Sequence, residues 1–124
     1  MKKIILIIVL LFSFSNVFAS EFKTNFTQEI FEKAQDNGKI VVIYSWNEYC
    51  GTCAKQRPIL EQAKNDFKDI LFLSIEHVEN KDLVKNLNIE YWSTIAVYKN
   101  SKQTAKIIGL VEKDKIYSFI KKEI

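Results

Sequence analysis

The sequence predicts an α/β domain of three layers, in which a central mixed β-sheet lies between two layers of helices. Short apolar runs at residues 40–44 and 70–75 show no polar alternation, which is typical of strands buried on both faces. Apolar residues at helical spacing alternate with these runs along the chain. A chain of 124 residues, 48% of them hydrophobic, has room for one such domain.

The predicted elements follow the order helix, strand, helix, strand, helix, hairpin, helix. Apolar residues recurring every three or four positions indicate the helices: Phe26, Ile30, Phe31 and Ala34; Ile59, Leu60, Ala63 and Phe67; Leu83, Val84 and Leu87; and Ile116, Phe119 and Ile120. The predicted strands are residues 40–44, 70–75, 94–98 and 104–110, the last two joined by a turn at 100–102. Pro58 falls inside the second helix, where the loss of a backbone donor predicts a kink.

Residues 1–19 have the pattern of a secretory signal peptide, which leaves residues 20–124 as the predicted domain. Lys2 and Lys3 form a positive start, residues 4–12 are unbroken apolar, and Ala19 ends a short segment typical of a cleavage site. The apolar run is shorter than the roughly 20 residues that a bilayer-spanning helix needs, so cleavage is favoured over a retained membrane anchor. The pattern predicts export, to the periplasm if the source is a bacterium.

The charge balance gives no basis for binding nucleic acid or an anionic membrane surface. The chain has a formal net charge of +3, and two of these positive charges belong to Lys2 and Lys3. The part that follows residue 19 is therefore near neutral, at about +1, and has no excess of cations to attract phosphates.

The two cysteines of the sequence, Cys50 and Cys53, follow a predicted buried strand and open a predicted helix. A thiolate at a helix N-terminus faces unpaired backbone N–H groups and the positive end of the helix dipole, which lower its pKa. Cys50, at the start of the helix, is the predicted nucleophile. Cys53 lies one turn further and is placed to attack a mixed disulfide formed on Cys50, which releases the product.

Three other interpretations of the cysteine pair stay open. A purely structural disulfide would close a very small loop, and small loops give the least stabilisation. A zinc site needs about four ligands, and His77 is the only histidine of the sequence. Two inert buried thiols are the third alternative, although an exported protein tends to be oxidised. The placement before a helix favours redox chemistry over all three.

Several separated motifs resemble the thioredoxin family. Residues 46–53, Trp-Asn-Glu-Tyr-Cys-Gly-Thr-Cys, resemble its active-site segment Trp-x-x-Trp-Cys-Gly-Pro-Cys, and Pro58 coincides with its helix-kinking proline. Residues 93–100, Ser-Thr-Ile-Ala-Val-Tyr-Lys-Asn, resemble the family's Pro-Thr-Leu strand that runs into Phe-Lys-Asn, and Gly109 matches a late-strand glycine. The similarity spans about residues 26–121 and implies a thioredoxin-like three-layer α/β/α fold.

The resemblance also implies a function. Cys50 and Cys53 are the expected catalytic residues of a thiol–disulfide oxidoreductase that exchanges disulfides with exported proteins, more in the manner of a reductase or electron relay than of an oxidant. The expected substrate-binding residues surround them: Tyr49, Gly51, Thr52, Trp92, Ser93 and Thr94. We expect no cofactor and no metal, a monomer, and a membrane protein as electron partner. The alternative is a non-catalytic binding module, either chaperone-like or a dimer bridged by a metal or an iron–sulfur cluster.

The sequence departs from the family pattern at three positions. Ser93 replaces the proline whose peptide bond is cis in the family, and a non-proline cis bond costs about 2.5–4 kcal/mol, so the bond between Trp92 and Ser93 is expected to be trans or strained. Tyr44 replaces a buried Asp that assists proton transfer at the second cysteine, and a phenol with a pKa of about 10 is a poorer base. Thr52 replaces the proline between the cysteines.

Overall fold

The computed structural model describes residues 25–124. The predicted signal peptide, its cleavage after Ala19 and the start of the predicted domain at residue 20 lie outside these residues and stay predictions. Within the described range no helix is long and apolar enough to cross a membrane.

The order of elements agrees with the prediction, with one short 3-10 turn added at Val78–Asn80. The helices are α1 (Gln28–Asp36), α2 (Gly51–Asp66), α3 (Lys81–Asn86) and α4 (Lys113–Lys121). The strands are β1 (Val41–Trp46), β2 (Leu71–Glu76), β3 (Thr94–Lys99) and β4 (Lys102–Ile108).

The four strands form one mixed sheet in the order β2-β1-β3-β4. β1 pairs with β2 in parallel, from Val41 beside Leu71 to Trp46 beside Glu76. β3 runs antiparallel to β1 and forms a hairpin with β4. The parallel pair places the ends of β1 and β2 at the same edge of the sheet, and the chain enters α2 from this edge.

Each face of the sheet packs against two helices, which confirms the predicted three layers. On one face, α1 and α3 contribute Phe31, Ala34 and Val84, which pack with Val41 and Ile43 of β1. On the other face, α2 and α4 contribute side chains that pack with the alternate residues of β1. These are Leu60, Ala63, Ile116 and Ile120. Because successive strand residues point to opposite faces, β1 is apolar without alternation.

The first helix begins later than predicted. Thr27 is its N-cap, and the Oγ1 atom of Thr27 accepts a hydrogen bond from the N–H of Ile30 at 3.1 Å. Phe26 therefore lies before the helix, where its ring packs on Phe31 with 5.5 Å between the centroids. Phe26 still packs against the core, and Ile30, inside the helix, is 38% exposed. The prediction that Phe26 belongs to the helix was wrong because the N-cap was not recognised.

The last strand is shifted from its predicted range of 104–110. The turn before it consists of Asn100 and Ser101, both with positive φ, at 51° and 67°. Two left-handed residues match the twist of a tight hairpin, so β4 begins earlier, at Lys102. Gly109, with φ of 78°, turns the chain and ends the strand at Ile108.

Candidate active site

Cys50 and Cys53 form a disulfide at the start of α2, with 5.2 Å between their Cα atoms. Cys50 is the N-cap of the helix and has an extended backbone, and Cys53 lies inside the first turn. Cys50 is 9% exposed and Cys53 4%. Cys50 is therefore the more exposed residue of the two, which agrees with its predicted role as the nucleophile.

The start of α2 favours negative charge on the Cys50 sulfur. The backbone N–H of Cys53 donates to Sγ of Cys50 at 3.0 Å. The first turn of the helix contains no acidic residue that would offset the helix dipole. Once the disulfide is reduced, the same N–H group and dipole stabilise a thiolate on Cys50, which is the reactive form in disulfide exchange.

The turn that places Cys50, which we call the Cys50 turn (residues 47–50), depends on the buried side chain of Asn47. Oδ1 of Asn47 accepts from the N–H of Tyr49 at 2.9 Å, and Nδ2 donates to Oε1 of Glu76 at 2.9 Å. The N–H of Cys50 donates to the carbonyl of Asn47 at 3.0 Å. Asn47 therefore ties the turn to the end of β2, a role that the sequence analysis missed.

Glu76 accepts further hydrogen bonds at the same place. Its carboxylate receives the backbone N–H groups of Val78 at 3.2 Å and Glu79 at 2.7 Å. Desolvation works to raise the pKa of Glu76, but the hydrogen bonds from Asn47, Glu79 and Val78 together hold this pKa below its ordinary value. The sequence did contain a signal for the pair formed by Asn47 and Glu76, because each is a polar residue at the end of one of two neighbouring parallel strands.

A second segment, the Ser93 loop (residues 91–94), also lies at the disulfide. The peptide bond between Trp92 and Ser93 is trans, and Ser93 has a φ of 58°. The bond that replaces the family's cis peptide is therefore trans, which is one of the two expected alternatives. A left-handed conformation is unfavourable for any residue with a Cβ atom, so other contacts must hold Ser93 there.

Hydrogen bonds hold Ser93 on both sides of its backbone. Its N–H donates to the carbonyl of Ser45 at 3.0 Å, and that carbonyl oxygen lies 3.8 Å from Sγ of Cys53. The carbonyl of Ser93 accepts from the N–H of Gly109 at 3.0 Å and from Nε2 of Gln56 at 3.1 Å. The carbonyl of Ser45 therefore contacts both the Ser93 loop and the disulfide.

The sequence analysis also missed Gln56. This side chain is 2% exposed and its Nε2 atom donates to the carbonyl of Leu110 at 2.9 Å as well as to Ser93. Its spacing was the available signal, since Gln56 is four residues before Leu60 and three after Cys53. A polar residue at that spacing lies on the buried face of the helix and needs buried partners.

The residues expected to bind substrate differ in accessibility. The rings of Tyr49 and Trp92 are 81% and 38% exposed. Gly51 is exposed and Thr52 half-buried. Ser93 and Thr94 are buried, and Oγ1 of Thr94 donates to the carbonyl of Tyr91 at 2.7 Å. Two aromatic rings are therefore available to a partner, whereas Ser93 and Thr94 act on the loop itself; the binding roles stay predictions.

A cleft of about 420 Å³ adjoins the Ser93 loop. It is lined by His77, Glu90, Tyr91, Trp92, Ser93 and Ile108. His77 is half-buried, and this burial lowers the pKa of its imidazole, partly opposed by the carboxylate of Glu76. Tyr91, Trp92 and Ile108 give this cleft an apolar part beside its polar residues.

Tyr44 occupies the position of the family's buried acid and is itself buried. Burial, with a smaller contribution from the carboxylate of Glu61, raises the pKa of Tyr44 to about 12. Its phenol therefore stays protonated near neutral pH, which agrees with the expected loss of a base. Glu48, the acidic residue two positions before Cys50, is exposed and does not take the place of that buried acid.

Residues 25–124 contain no group of three or more histidine, cysteine, aspartate or glutamate side chains that could hold a metal ion. A bridged metal or cluster with four protein ligands would therefore need a further source of ligands, such as a second copy of the chain.

The comparisons with known proteins agree with this geometry. The thioredoxin family model matches residues 17–122. Thioredoxin from Rickettsia felis is 28% identical over 102 residues, which are 81% of this chain and 97% of that protein. Thioredoxin from Mycoplasma genitalium is 30% identical over 78 residues, which are 63% of this chain and 76% of that protein.

Solved structures share the fold. Trxlp from Edwardsiella tarda superposes with a TM-score of 0.73 at 18% identity and covers 77% of this chain and 95% of its own. Mitochondrial thioredoxin 3 from Saccharomyces cerevisiae gives a TM-score of 0.70 at 23% identity, over 81% and 94% of the two chains. These similarities confirm the predicted thioredoxin-like architecture. Together with the Cys50–Cys53 pair and the match of the family model, they show that the chain belongs to the thioredoxin family of thiol–disulfide oxidoreductases.

Proposed function

We propose that this protein reduces disulfide bonds in exported proteins, or relays electrons to them, through Cys50 and Cys53. The observation that carries the proposal is the position of Cys50. Cys50 is the more exposed residue of the pair and caps a helix whose first turn holds no acidic residue, and the N–H of Cys53 donates to its sulfur at 3.0 Å. This is an arrangement for forming and using a thiolate.

The exchange proceeds in two displacements. The Cys50 thiolate attacks one sulfur of the substrate disulfide, which forms a mixed disulfide and expels a substrate thiolate. Cys53 then loses its proton and attacks Sγ of Cys50, which expels the second substrate thiolate and leaves the Cys50–Cys53 disulfide. The substrate gains two electrons and the protein loses two.

The proton of Cys53 needs an acceptor other than Tyr44. The buried phenol, with a pKa of about 12, holds its own proton at the pH at which exchange occurs. We assign the role to the substrate thiolate expelled in the first displacement, whose basicity is higher than that of a helix-capping thiolate. The second displacement is then slower than it is with a buried carboxylate at position 44.

The direction of electron flow is inferred from the relatives and the compartment. The relatives named above are thioredoxins, and residues 25–124 contain no helical domain inserted into the fold. The pattern of residues 1–19 predicts export, and an oxidising compartment has to supply a reductase with electrons from elsewhere. We therefore propose that a membrane protein donates electrons to this protein, and that this protein is a monomer when it receives them.

The Cys53→Ser variant tests the exchange. Reduced C53S, mixed with insulin as a protein disulfide, should accumulate a stable mixed disulfide through Cys50, visible on a non-reducing gel and by mass. The matched Cys50→Ser variant should accumulate none. If C53S traps no partner at any pH between neutral and mildly alkaline, exchange is refuted and a non-catalytic binding module takes its place.

Export is tested separately in the source cells. The protein should be recovered outside the cytoplasm with Ser20 as its first residue. A full-length chain that stays with the membrane would identify a retained anchor, and a full-length chain in the cytoplasm would refute export.

A further inference from the structure

Gln56 connects the helix of the cysteines to the Ser93 loop. It lies in the first part of α2, three residues after Cys53, and is 2% exposed. Its Nε2 atom donates to two backbone carbonyls, that of Ser93 at 3.1 Å and that of Leu110 at 2.9 Å. A buried amide is tolerated only when it is hydrogen-bonded. The two hydrogen bonds therefore hold the Gln56 side chain in place, and they hold the Ser93 loop to α2.

Ser93 requires such support. The residue has a φ of 58°, which a side chain with a Cβ atom disfavours, and its peptide bond to Trp92 is trans. Two of its hydrogen-bond partners, the carbonyl of Ser45 and the N–H of Gly109, are backbone groups that any sequence supplies. The third, Nε2 of Gln56, is a side-chain group and therefore specific to this sequence.

Trp92 depends on the conformation of Ser93. Its ring is 38% exposed and lines the cleft beside the loop. Since Ser93 follows it directly, a change of the Ser93 backbone to the ordinary right-handed or extended region would redirect both the ring and the peptide groups of Trp92 away from their present position.

We propose that Gln56 is a positioning residue, whose amide holds Ser93 in its left-handed trans conformation and thereby presents Trp92 to protein substrates beside the disulfide. The inference rests on the proposed function, because it assigns the loop to binding of the protein substrate. A small disulfide needs only access to the Cys50 sulfur, whereas an extended polypeptide must also contact the loop. Loss of the amide should therefore affect protein substrates more than small ones.

Gln56→Leu removes the donor and nearly conserves the volume. The chain also offers a matched control, because Gln35 is a buried glutamine, 3% exposed, on the opposite face of the sheet. Its Nε2 atom also donates to two carbonyls, those of Lys39 at 2.8 Å and Tyr98 at 3.2 Å, and its Oε1 atom accepts from the N–H of Ser101 at 2.6 Å. Gln35→Leu therefore removes at least as many of these hydrogen bonds as Gln56→Leu does, without touching the Ser93 loop.

The purified reduced proteins are compared in their second-order rate constants for insulin and for the small disulfide 5,5′-dithiobis(2-nitrobenzoate). In Q56L the ratio of the insulin rate to the small-disulfide rate should fall about tenfold, the effect expected when one buried hydrogen bond no longer holds the loop. In Q35L the ratio should stay that of the original protein. A ratio that is unchanged in Q56L, or that falls equally in Q35L, overturns the proposal.

A second measurement does not depend on redox activity. Hydrogen exchange of the Ser93 and Gly109 amides should become at least about tenfold faster in Q56L and remain unchanged in Q35L. If the original protein shows no exchange with insulin, the proposed function fails while this result still decides whether Gln56 holds the loop. Unchanged protection in Q56L overturns the role of Gln56. If Q56L does not fold, Gln56→Met, which fills the same space without donating, replaces it.

Discussion

Two segments meet at the disulfide, and they are held in place by different kinds of contact. The Cys50 turn is organised mainly by its own residues, since Asn47 binds the N–H groups of Tyr49 and Cys50, with one contact to Glu76 outside it. The Ser93 loop is organised by distant residues, and its contact with Gln56 spans 37 positions of the chain. Cys50 is thus placed by local contacts, and the loop beside it is placed by tertiary structure.

This difference has a consequence for stability. Local contacts persist when the rest of the fold loosens, whereas contacts between distant segments are lost together with the packing that brings them near. The Cys50 turn should therefore keep its geometry in partly destabilised variants in which the Ser93 loop has already lost its left-handed residue.

The largest effect is expected from Asn47→Ala. Asn47 is 7% exposed, and its removal leaves the N–H of Tyr49 and one bond of Glu76 without their partner. The free energy of unfolding, measured by urea titration of the oxidised protein, should fall by about 1–3 kcal/mol. Asn86→Ala in the exposed part of α3 is the matched control and should stay within about 0.5 kcal/mol. A loss in N47A as small as that of the control would mean that the turn does not need its side chain.

A somewhat smaller effect is expected at Ser93, where a pair of variants tests the positive φ. Ser93→Val places a β-branched residue in the left-handed region and should lower the free energy of unfolding by about 1–2 kcal/mol. Ser93→Gly adopts the same φ without a Cβ atom and should leave stability unchanged or raise it. If S93G destabilises the protein more than S93V, the loop is not held in the left-handed conformation.

The smallest effect is a pH dependence that separates the two segments. His77, which lines the cleft at the Ser93 loop, has a pKa below 6.5, so the unfolded chain takes up a proton more readily than the folded one. The contribution of His77 to the free energy of unfolding is fully present above pH 6.5 and declines as the pH falls below that value. Glu76, at the Cys50 turn, has a pKa below 4.5, and its contribution is lost only as the pH falls below that value.

Urea titrations between pH 7.5 and pH 3.5 measure both windows. His77→Gln should flatten mainly the decline in the upper window, and Glu76→Gln should flatten the decline in the lower window. Because the carboxylate of Glu76 raises the pKa of His77, Glu76→Gln should also make the upper decline somewhat steeper. A single decline that both variants change equally would contradict the assignment of one group to each segment.

The same contrast explains what could be predicted from the sequence. The buried strands, the helix that starts at Gly51 and the role of Cys50 follow from local patterns, because each depends on neighbours within about one helical turn. Ser93 was recognised as a departure from the family, but its left-handed conformation depends on Ser45, Gly109 and Gln56, which only the folded chain brings together. Gln56 was missed for the same reason, although its place on the apolar face of α2 indicated a buried polar group.

The helix boundaries show the same limit on a smaller scale. Residues 26–34 carry a helical pattern, but the cap at Thr27 excludes Phe26 from the helix. The pattern of apolar residues predicts that a helix is present, whereas the N-cap decides where it begins.

The reduction potential of the Cys50–Cys53 pair tests the central claim most directly, by equilibration of the protein against dithiothreitol and glutathione at defined ratios. We predict a reversible two-electron couple with a potential near that of thioredoxin, about −270 mV. A reversible couple at about −120 mV would keep the oxidoreductase activity and reverse the proposed direction of electron flow. A pair that shows no reversible exchange with either thiol would refute the oxidoreductase function.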